Sequence, residues 1–479
     1  MLEPFEYRGV WWLPDAPEHK VAGVLTFSQD DVCLELIGLL PREHPDPDPA
    51  TGVVTVPTGP VSRPRILGLS TSGKILTLED CMSTNWNFSF PGMMTERFLP
   101  RLILEGAHYG LDEDIIIDEL SIRYSQLDAW VSISGIQQSS TSEDADISFG
   151  VSFRPPDSIE VAIGDLRFEI AFSWQVKDAA PLGTSFSIDQ HAAFFLHFNQ
   201  PLALEEAFDY VYQLRNFLAL GVGRPVSTLT ITGYRLPPSD AEPDPRTGRE
   251  PHKTKLDIFY RLHDIPETKN VHPAQMLFTF ADTRERLATL LGNWFAKQDL
   301  LRPVFDLYFG AIYNRHAYLE QRFLSLIQAI ETYHRRTSNA TELPVKEHEL
   351  WLSDVISSTA KDHRERLSAK LKYSNELSLH NRLREISTLH PLITDKIIDR
   401  PSFVHRVRVA RNYLTHFDPS LENQATKGIA LYPLAVQLQA LVEMCLLLEI
   451  GFEREEIDAF FTRVGRYREV ELALEDEGD

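Results

Sequence analysis

Only three cysteines, Cys33, Cys81 and Cys445, occur in 479 residues, odd in number and far apart. That spacing excludes a disulfide framework and a cysteine-rich metal site, and it leaves buried free thiols as the reading. Long apolar runs are also missing, since none approaches the ~20 residues of a membrane span. The start, Met1-Leu2-Glu3-Pro4-Phe5-Glu6, has no basic segment leading into an apolar core. A cytoplasmic location without a membrane partner is therefore expected. No Gly-x-Ser-x-Gly elbow, His-Glu-x-x-His helix or dinucleotide glycine fingerprint occurs, so neither a cofactor nor a metal is expected.

Two near-motifs fail on their surroundings. Gly68 to Lys74 is one residue from a phosphate-binding loop, but Ile75 stands where Ser or Thr would hold magnesium. Such a loop must also open a helix, whereas Ile75-Leu76-Thr77-Leu78 reads as a strand. The carboxylate clusters Asp112-Glu113-Asp114 and Glu143-Asp144-Asp146 sit in loop-like sequence without a cluster of metal-ligand histidines and read as solvated turns.

Positive charge is scarce overall, with 47 Lys+Arg against 69 Asp+Glu and a net charge of -22. The deficit is uneven. Residues 1–250 carry 17 basic against 36 acidic side chains, net -19, and residues 251–479 carry 30 against 33, net -3. Within residues 361–411 the balance reverses to 12 against 6, net +6, joined by His363, His380, His390 and His405. That stretch is compatible with a polyanion partner or with solvated helix faces.

The hydrophobic period divides the chain in the same way. In the first half, short runs such as Val21 to Phe27, Val32 to Leu36, Arg65 to Leu69, Ile75 to Leu78, Phe98 to Leu104, Leu120 to Tyr124, Phe168 to Trp174 and Leu229 to Tyr234 read as strands. Polar turns, Ser28-Gln29-Asp30-Asp31 and Ser70 to Lys74 among them, separate these runs. A largely antiparallel sheet, sandwich-like or a pair of packed sheets, is expected. One helix over Leu204 to Leu218, stopped by Gly221, interrupts it. Leu236 to Pro251 reads as a loop, and Lys255 to Leu262 and Met276 to Phe280 as extended chain.

From about Asp282 the period becomes helical. Nine helices are expected, from Thr283 to Phe295 through Glu453 to Arg463, forming an all-helical bundle. The fold class is thus α+β and multidomain, with a β-rich region over 1–280, a helical region over 281–470 and an acidic tail over 471–479.

Near the end of one bundle helix stands Arg411-Asn412-Tyr413-Leu414-Thr415-His416, closed by Phe417-Asp418-Pro419. A guanidinium can hold a phosphate with two parallel hydrogen bonds, and imidazole, with an ordinary pKa near ~6.5, can move a proton at neutral pH. The spacing alone selects little, because Arg400 to His405 repeats it and Arg384 to His390 is one residue longer. Context separates the three. Arg411 is followed by Asn412 and lies on an apolar-periodic segment with Val404, Val407, Ala410 and Leu414, whereas Arg400 precedes Pro401 and straddles a helix start. Residues five apart on an ideal helix point ~140° apart, so Arg411 and His416 share a face only if the helix loosens near Thr415. A helix-end cap or buried polar pair is the structural alternative. Glu331 and His334 could face the hexad or form a local surface pair. Trp11-Trp12 is either core and rim or an aromatic platform.

The Arg411-Asn412-x-x-x-His416 pattern, late in a helical bundle and after a helix containing Ala329-Ile330-Glu331-Thr332-Tyr333, resembles the HEPN ribonuclease superfamily. The opening Gly9-Val10-Trp11-Trp12-Leu13-Pro14, followed by Val21 to Leu25 and the hairpin ending in Lys74 to Leu78, resembles the N-terminal domain of ApeA-like HEPN proteins of anti-phage abortive infection. The resemblance implies a metal-independent endoribonuclease using the RNA 2'-hydroxyl as nucleophile. Arg411 would stabilise the phosphorane, His416 would act as acid or base, and Asn412 would position them. It further implies a homodimer or higher oligomer with a composite site, and a β-rich region that answers to a phage-derived trigger. A non-catalytic adaptor, dimerising through the bundle and binding a protein through the β region, is the competing expectation.

Overall fold

The computed structural model describes residues 4–28, 31–41, 61–87, 93–143, 146–178, 186–237, 252–260, 270–314, 316–391, 394–395, 398 and 400–469. The centre of the first expected turn (29–30), Asp144, most of the expected loop over 236–251, the end of the 255–262 stretch and the acidic tail lie outside them. The chain divides into two compact units: residues 1–218 with 226–270, and 219–225 with 271–479.

Among the described residues, the first unit is built on one 13-stranded sheet in which every pairing is antiparallel. Strands β1 (Phe5–Trp12), β2 (Val21–Phe27), β3 (Val32–Ile37), β4 (Ser62–Ser70), β5 (Ile75–Asn87) and β6 (Thr95–Leu99) pair in a ring, because β6 joins both β3 and β5. The expected antiparallel, β-rich region is present, with a closed barrel in place of a sandwich. Alternation along the strands turns Leu25, Phe27, Leu34, Leu36, Leu76 and Leu78 into one core around Trp11. Gly68 on β4 is obligatory there, since a Cβ would overlap the Trp11 ring.

The run Phe98 to Leu104, expected as one strand, is two. Pro100-Arg101 divides β6 from β7 (Leu102–Glu105), and at this break the sheet forks. Both lie against β5, but β6 goes on to β3 in the barrel while β7 pairs with β15 (Thr254–Tyr260). From β15 the open arm continues through β14 (Thr228–Arg235), β8 (Ile116–Tyr124), β13 (Phe186–Ala203) and β12 (Leu166–Asp178) to β11 (Ile159–Ile163). A separate hairpin pairs β9 (Ile136–Glu143) with β10 (Asp146–Phe153).

Helix α1 (Leu127–Val131) presents Trp130 to Phe194 and Phe217, with ring centroids 6.1 and 6.2 Å away. Helix α2 (Leu204–Val222) buries Ala207, Val211, Leu214 and Leu218, the i, i+4, i+7 pattern of one helical face. It runs through Gly221 and ends at Gly223, whose φ of 70° suits a residue without a Cβ.

The second unit is the expected helical bundle. Its helices are α3 (Phe280–Thr283), α4 (Leu287–Ala296), α5 (Gln298–Tyr313), α6 (Leu319–Thr337), α7 (Val345–Ser358), α8 (Lys361–Leu371), α9 (Leu379–Thr388), α10 (Arg400–His416), α11 (Leu431–Ile450) and α12 (Arg454–Arg463). Met276 to Phe280, expected as extended chain, contains no strand. It leads into α3, where Thr279 and Asp282 form a capping box.

Helix α11 is apolar on all sides because neighbours surround it. The stretch 428–450 is long and apolar enough to cross a membrane, yet 83% of its apolar 18-residue window is buried inside the protein. Among the few polar residues of this helix, Glu443 is fully buried. It accepts hydrogen bonds from Tyr308 (2.7 Å), Gln439 (2.7 Å), Arg466 (2.6 and 2.8 Å) and Tyr467. Helices α7 and α8, by contrast, contain no buried residue.

Candidate active site

Helix α10 carries the hexad. It starts at Arg400-Pro401, where a missing proline N–H costs no helical hydrogen bond, and buries Phe403, Val404, Val407 and Ala410 in the bundle. Regular helix continues to His416. The Thr415 hydroxyl donates to the Arg411 carbonyl at 2.7 Å, and the Phe417 amide still closes on Tyr413. The break comes at Phe417, whose φ of 50° lies in the left-handed region. Asp418 then caps the turn Pro419–Leu421 by accepting from the Ser420 amide at 2.9 Å. Ser420, through its hydroxyl first and its amide second, holds the Asp418 carboxyl below the usual range, with His416 alongside contributing. The expected loosening at Thr415 does not occur, because the helix absorbs its ending one residue beyond the histidine.

The ~140° separation of Arg411 and His416 therefore stands. Arg411, 33% exposed, points toward Glu331 on α6, with Nη2 to Oε2 at 3.8 Å. Its Nη1 donates to Asn412 Oδ1 at 3.3 Å. His416 is exposed on the last turn. No hydrogen bond or ion pair joins Arg411 to His416 among the described residues.

Counting back from His416 in steps of three and four gives Asn412, Arg408 and His405, which lie along one side of α10. His405, Arg408 and His416 are exposed and Asn412 is half-buried. His405, the histidine of the competing Arg400–His405 spacing, thus lines up with His416 instead of forming a second site. Helical spacing measured from His416, rather than from Arg411, was the available signal for this face. His390, the other competitor, is buried and bonded to the Arg454 carbonyl at 2.7 Å.

Glu331 and His334 separate. Glu331 reaches Arg411, while His334 is buried between Arg382 and Glu385. Arg382 Nη1 lies 3.0 Å from His334 Nδ1, and a guanidinium can only donate. The imidazole proton therefore sits on Nε2, which donates to Glu385 at 2.7 Å. Burial first, then Arg335, lowers the Arg382 pKa against the opposing effect of Glu376, Glu331 and Glu385. Glu331 thus acts electrostatically on two guanidinium groups, Arg411 and Arg382.

The near-motifs of the β unit are structural. Lys74 ends a turn between β4 and β5 and pairs with Glu105. Trp11 is fully buried in the barrel. Trp12 packs edge-on against His108 and under the Lys20 ammonium, at 5.1 and 4.6 Å. Glu113 closes its own turn by accepting from the Gly110 amide at 2.8 Å.

Chemically, the end of α10 offers a permanent cation held by an amide and a carboxylate, and an accessible imidazole turned ~140° away from it. A family model described as ApeA N-terminal domain 1 matches residues 6–294. A second, described as Apea-like HEPN, matches residues 324–456 and so contains Glu331 and the whole hexad. No curated protein matches the chain, and no solved structure does.

Proposed function

From a chain that belongs to the ApeA-like HEPN proteins, we propose a metal-independent endoribonuclease of anti-phage abortive infection. The reading rests on one observation above the others: an accessible His416 ends the helix on which Arg411 is held by Asn412 and Glu331.

The reaction is an internal transesterification. The RNA 2'-oxygen attacks its neighbouring phosphorus and gives its proton to a neutral imidazole. The 5'-oxygen leaves with a proton from an imidazolium, and a 2',3'-cyclic phosphate and a 5'-hydroxyl end result. Arg411 neutralises the phosphorane as charge gathers on its equatorial oxygens. Asn412 and Glu331 are positioning residues that hold the guanidinium fork.

One imidazole cannot be base and acid in the same step. Two copies of His416, one from each protomer, supply both roles, so the site is composite and the enzyme a homodimer or higher oligomer. That assembly also brings an arginine and a histidine from opposite chains together, which the ~140° separation on a single helix does not. The β-rich unit serves as the element that answers to a phage-derived trigger.

The Arg411–Glu331 pair also suits a second reading, a non-catalytic adaptor in which the pair is a strut between α6 and α10. Incubating the full chain with RNA in EDTA, beside Arg411→Ala and His416→Ala, separates the two. Cleavage by the unaltered chain and its loss in both variants is the expected result. RNA left equally intact by all three, with candidate phage triggers present, would refute the enzyme. Cleavage that requires magnesium would refute this mechanism.

A further inference from the structure

We propose that α8 (Lys361–Leu371) is an arm that binds the RNA backbone outside the catalytic hexad. The inference rests on the ribonuclease reading for the identity of the polyanion, and on α8 itself for the rest.

Several bundle cations are spent on carboxylates. Arg286 pairs with Glu456, Lys297 with Glu449, Arg335 with Glu376, Arg463 with Asp282 and Arg466 with Glu443. The stretch 361–372 is different, with five Lys+Arg against two Asp+Glu, net +3. Of the five, Arg364 is turned inward, bonding the Ser357 and Thr359 carbonyls that end α7. Among the described residues, Lys361, Arg366, Lys370 and Lys372 have no carboxylate within ion-pairing distance, and all four are exposed.

Their arrangement is a track. His363, Arg366 and Lys370 follow i, i+3, i+7 spacing and share one side of the helix, with the half-buried Leu367 and Leu371 along its flank. At the end of the track Lys372 lies 5.2 Å from the Tyr373 ring centroid, and that ring is 64% exposed. Unpaired cations beside an accessible aromatic face are the chemistry of single-stranded nucleic acid binding, with phosphates meeting the cations and a base stacking on the ring.

The arm is also fastened at its base. The Leu343 amide donates to Asn375 at 2.8 Å, and Asn375 returns a bond to the Leu343 carbonyl at 3.0 Å. Glu342 accepts from Asn381 and from the Ser378 amide at 2.9 and 3.1 Å. The charges are thus carried on an anchored hairpin of α7 and α8, not on a free tail.

The test is direct binding of a fluorescent single-stranded RNA to the full chain. The chain carries His416→Ala so that substrate persists, with and without Arg366→Gln, Lys370→Gln and Lys372→Gln. Because α8 buries no side chain, the triple variant should melt with its parent. Between about 50 and 200 mM salt, three lost phosphate contacts should lower the slope of log K against log salt by about 2, at ~0.7 per contact on single strands. With His416 intact, the triple variant should raise KM and keep kcat, and Tyr373→Ala should weaken binding without changing the slope.

An unchanged slope and affinity in a chain that still cleaves RNA would overturn the arm and leave the ribonuclease standing. Arm-dependent binding without cleavage would uphold the arm and remove the enzyme. A chain that neither binds nor cleaves RNA would remove both.

Discussion

Replacing Arg466 by methionine should destabilise the helical unit by about 3–5 kcal/mol, a cost set by what it leaves behind. Glu443 is fully buried, and Arg466, with two contacts at 2.6 and 2.8 Å, is the only cation with an ion pair to it among the described residues. Burial, the largest single influence, works against the Arg466 charge, but Glu443, Tyr467 and Tyr308 together outweigh it and hold the guanidinium pKa above its ordinary value. Without Arg466, the hydroxyls of Tyr308 and Tyr467 and the Gln439 amide still donate to the carboxylate, but no opposite charge remains. Against a typical domain stability of about 5–15 kcal/mol the loss is large. Urea unfolding of the full chain, followed by a helix-sensitive signal, measures it. The double variant Arg466→Met with Glu443→Gln should recover part of the loss, because the uncompensated charge is gone. A loss below about 1 kcal/mol would refute the idea that Arg466 compensates a fully buried carboxylate.

Arg411→Ala and His416→Ala should each leave unfolding within about 1 kcal/mol of the parent, because the histidine is exposed and the Arg411–Glu331 contact is long and partly solvated. In RNA cleavage the arginine variant should lose about 2.7–4 kcal/mol of transition-state stabilisation, and the histidine variant roughly 10² to 10⁴ in rate. Asp282→Asn gives a pH-dependent comparison. Burial would raise the Asp282 pKa, but Arg463 at 2.6 Å and two bonds from Thr279 lower it overall. The stability it contributes is present above the unfolded value near ~3.9 and disappears as pH falls through the lower folded value. Parent and variant should therefore differ constantly from pH 7 to about 5 in urea melts, and converge below about pH 4. Gly68→Ala should cost about 1–3 kcal/mol or more by forcing a methyl into the Trp11 ring, read as a lower melting temperature of the β unit.

Local signals carried most of the elements into view. The helical period located α5 through α12 to within a few residues, and the Ser70 to Lys74 turn identified the β4–β5 hairpin. Long-range pairings were not legible. Closure of the barrel depends on β6 meeting β3 and β5 at once, and no local period encodes such a junction. Strand β13 went unseen because its centre, Ala192 to Leu196, is nearly continuous in apolar character and Asn199-Gln200-Pro201 reads as a turn within it. At the candidate site, sequence supplied Arg411, Asn412 and His416, but the Arg411–Glu331 contact is made by packing of α6 against α10. The end of α10 was legible in Phe417-Asp418-Pro419, but nothing local marked Phe417 as the residue that takes the left-handed conformation.

Strand β5 belongs to the barrel and to the open arm at once, with β4 along one side and β6 and β7 in succession along the other. In hydrogen-exchange terms this makes it a seam: residues Leu76 to Glu79 are paired to strands on both flanks, and neither part of the sheet can open fully while β5 stays paired to the other. The β unit is therefore one cooperative block, and proteolysis or local opening should begin at its far edge, β11, leaving the seam as the last region to surrender its protons.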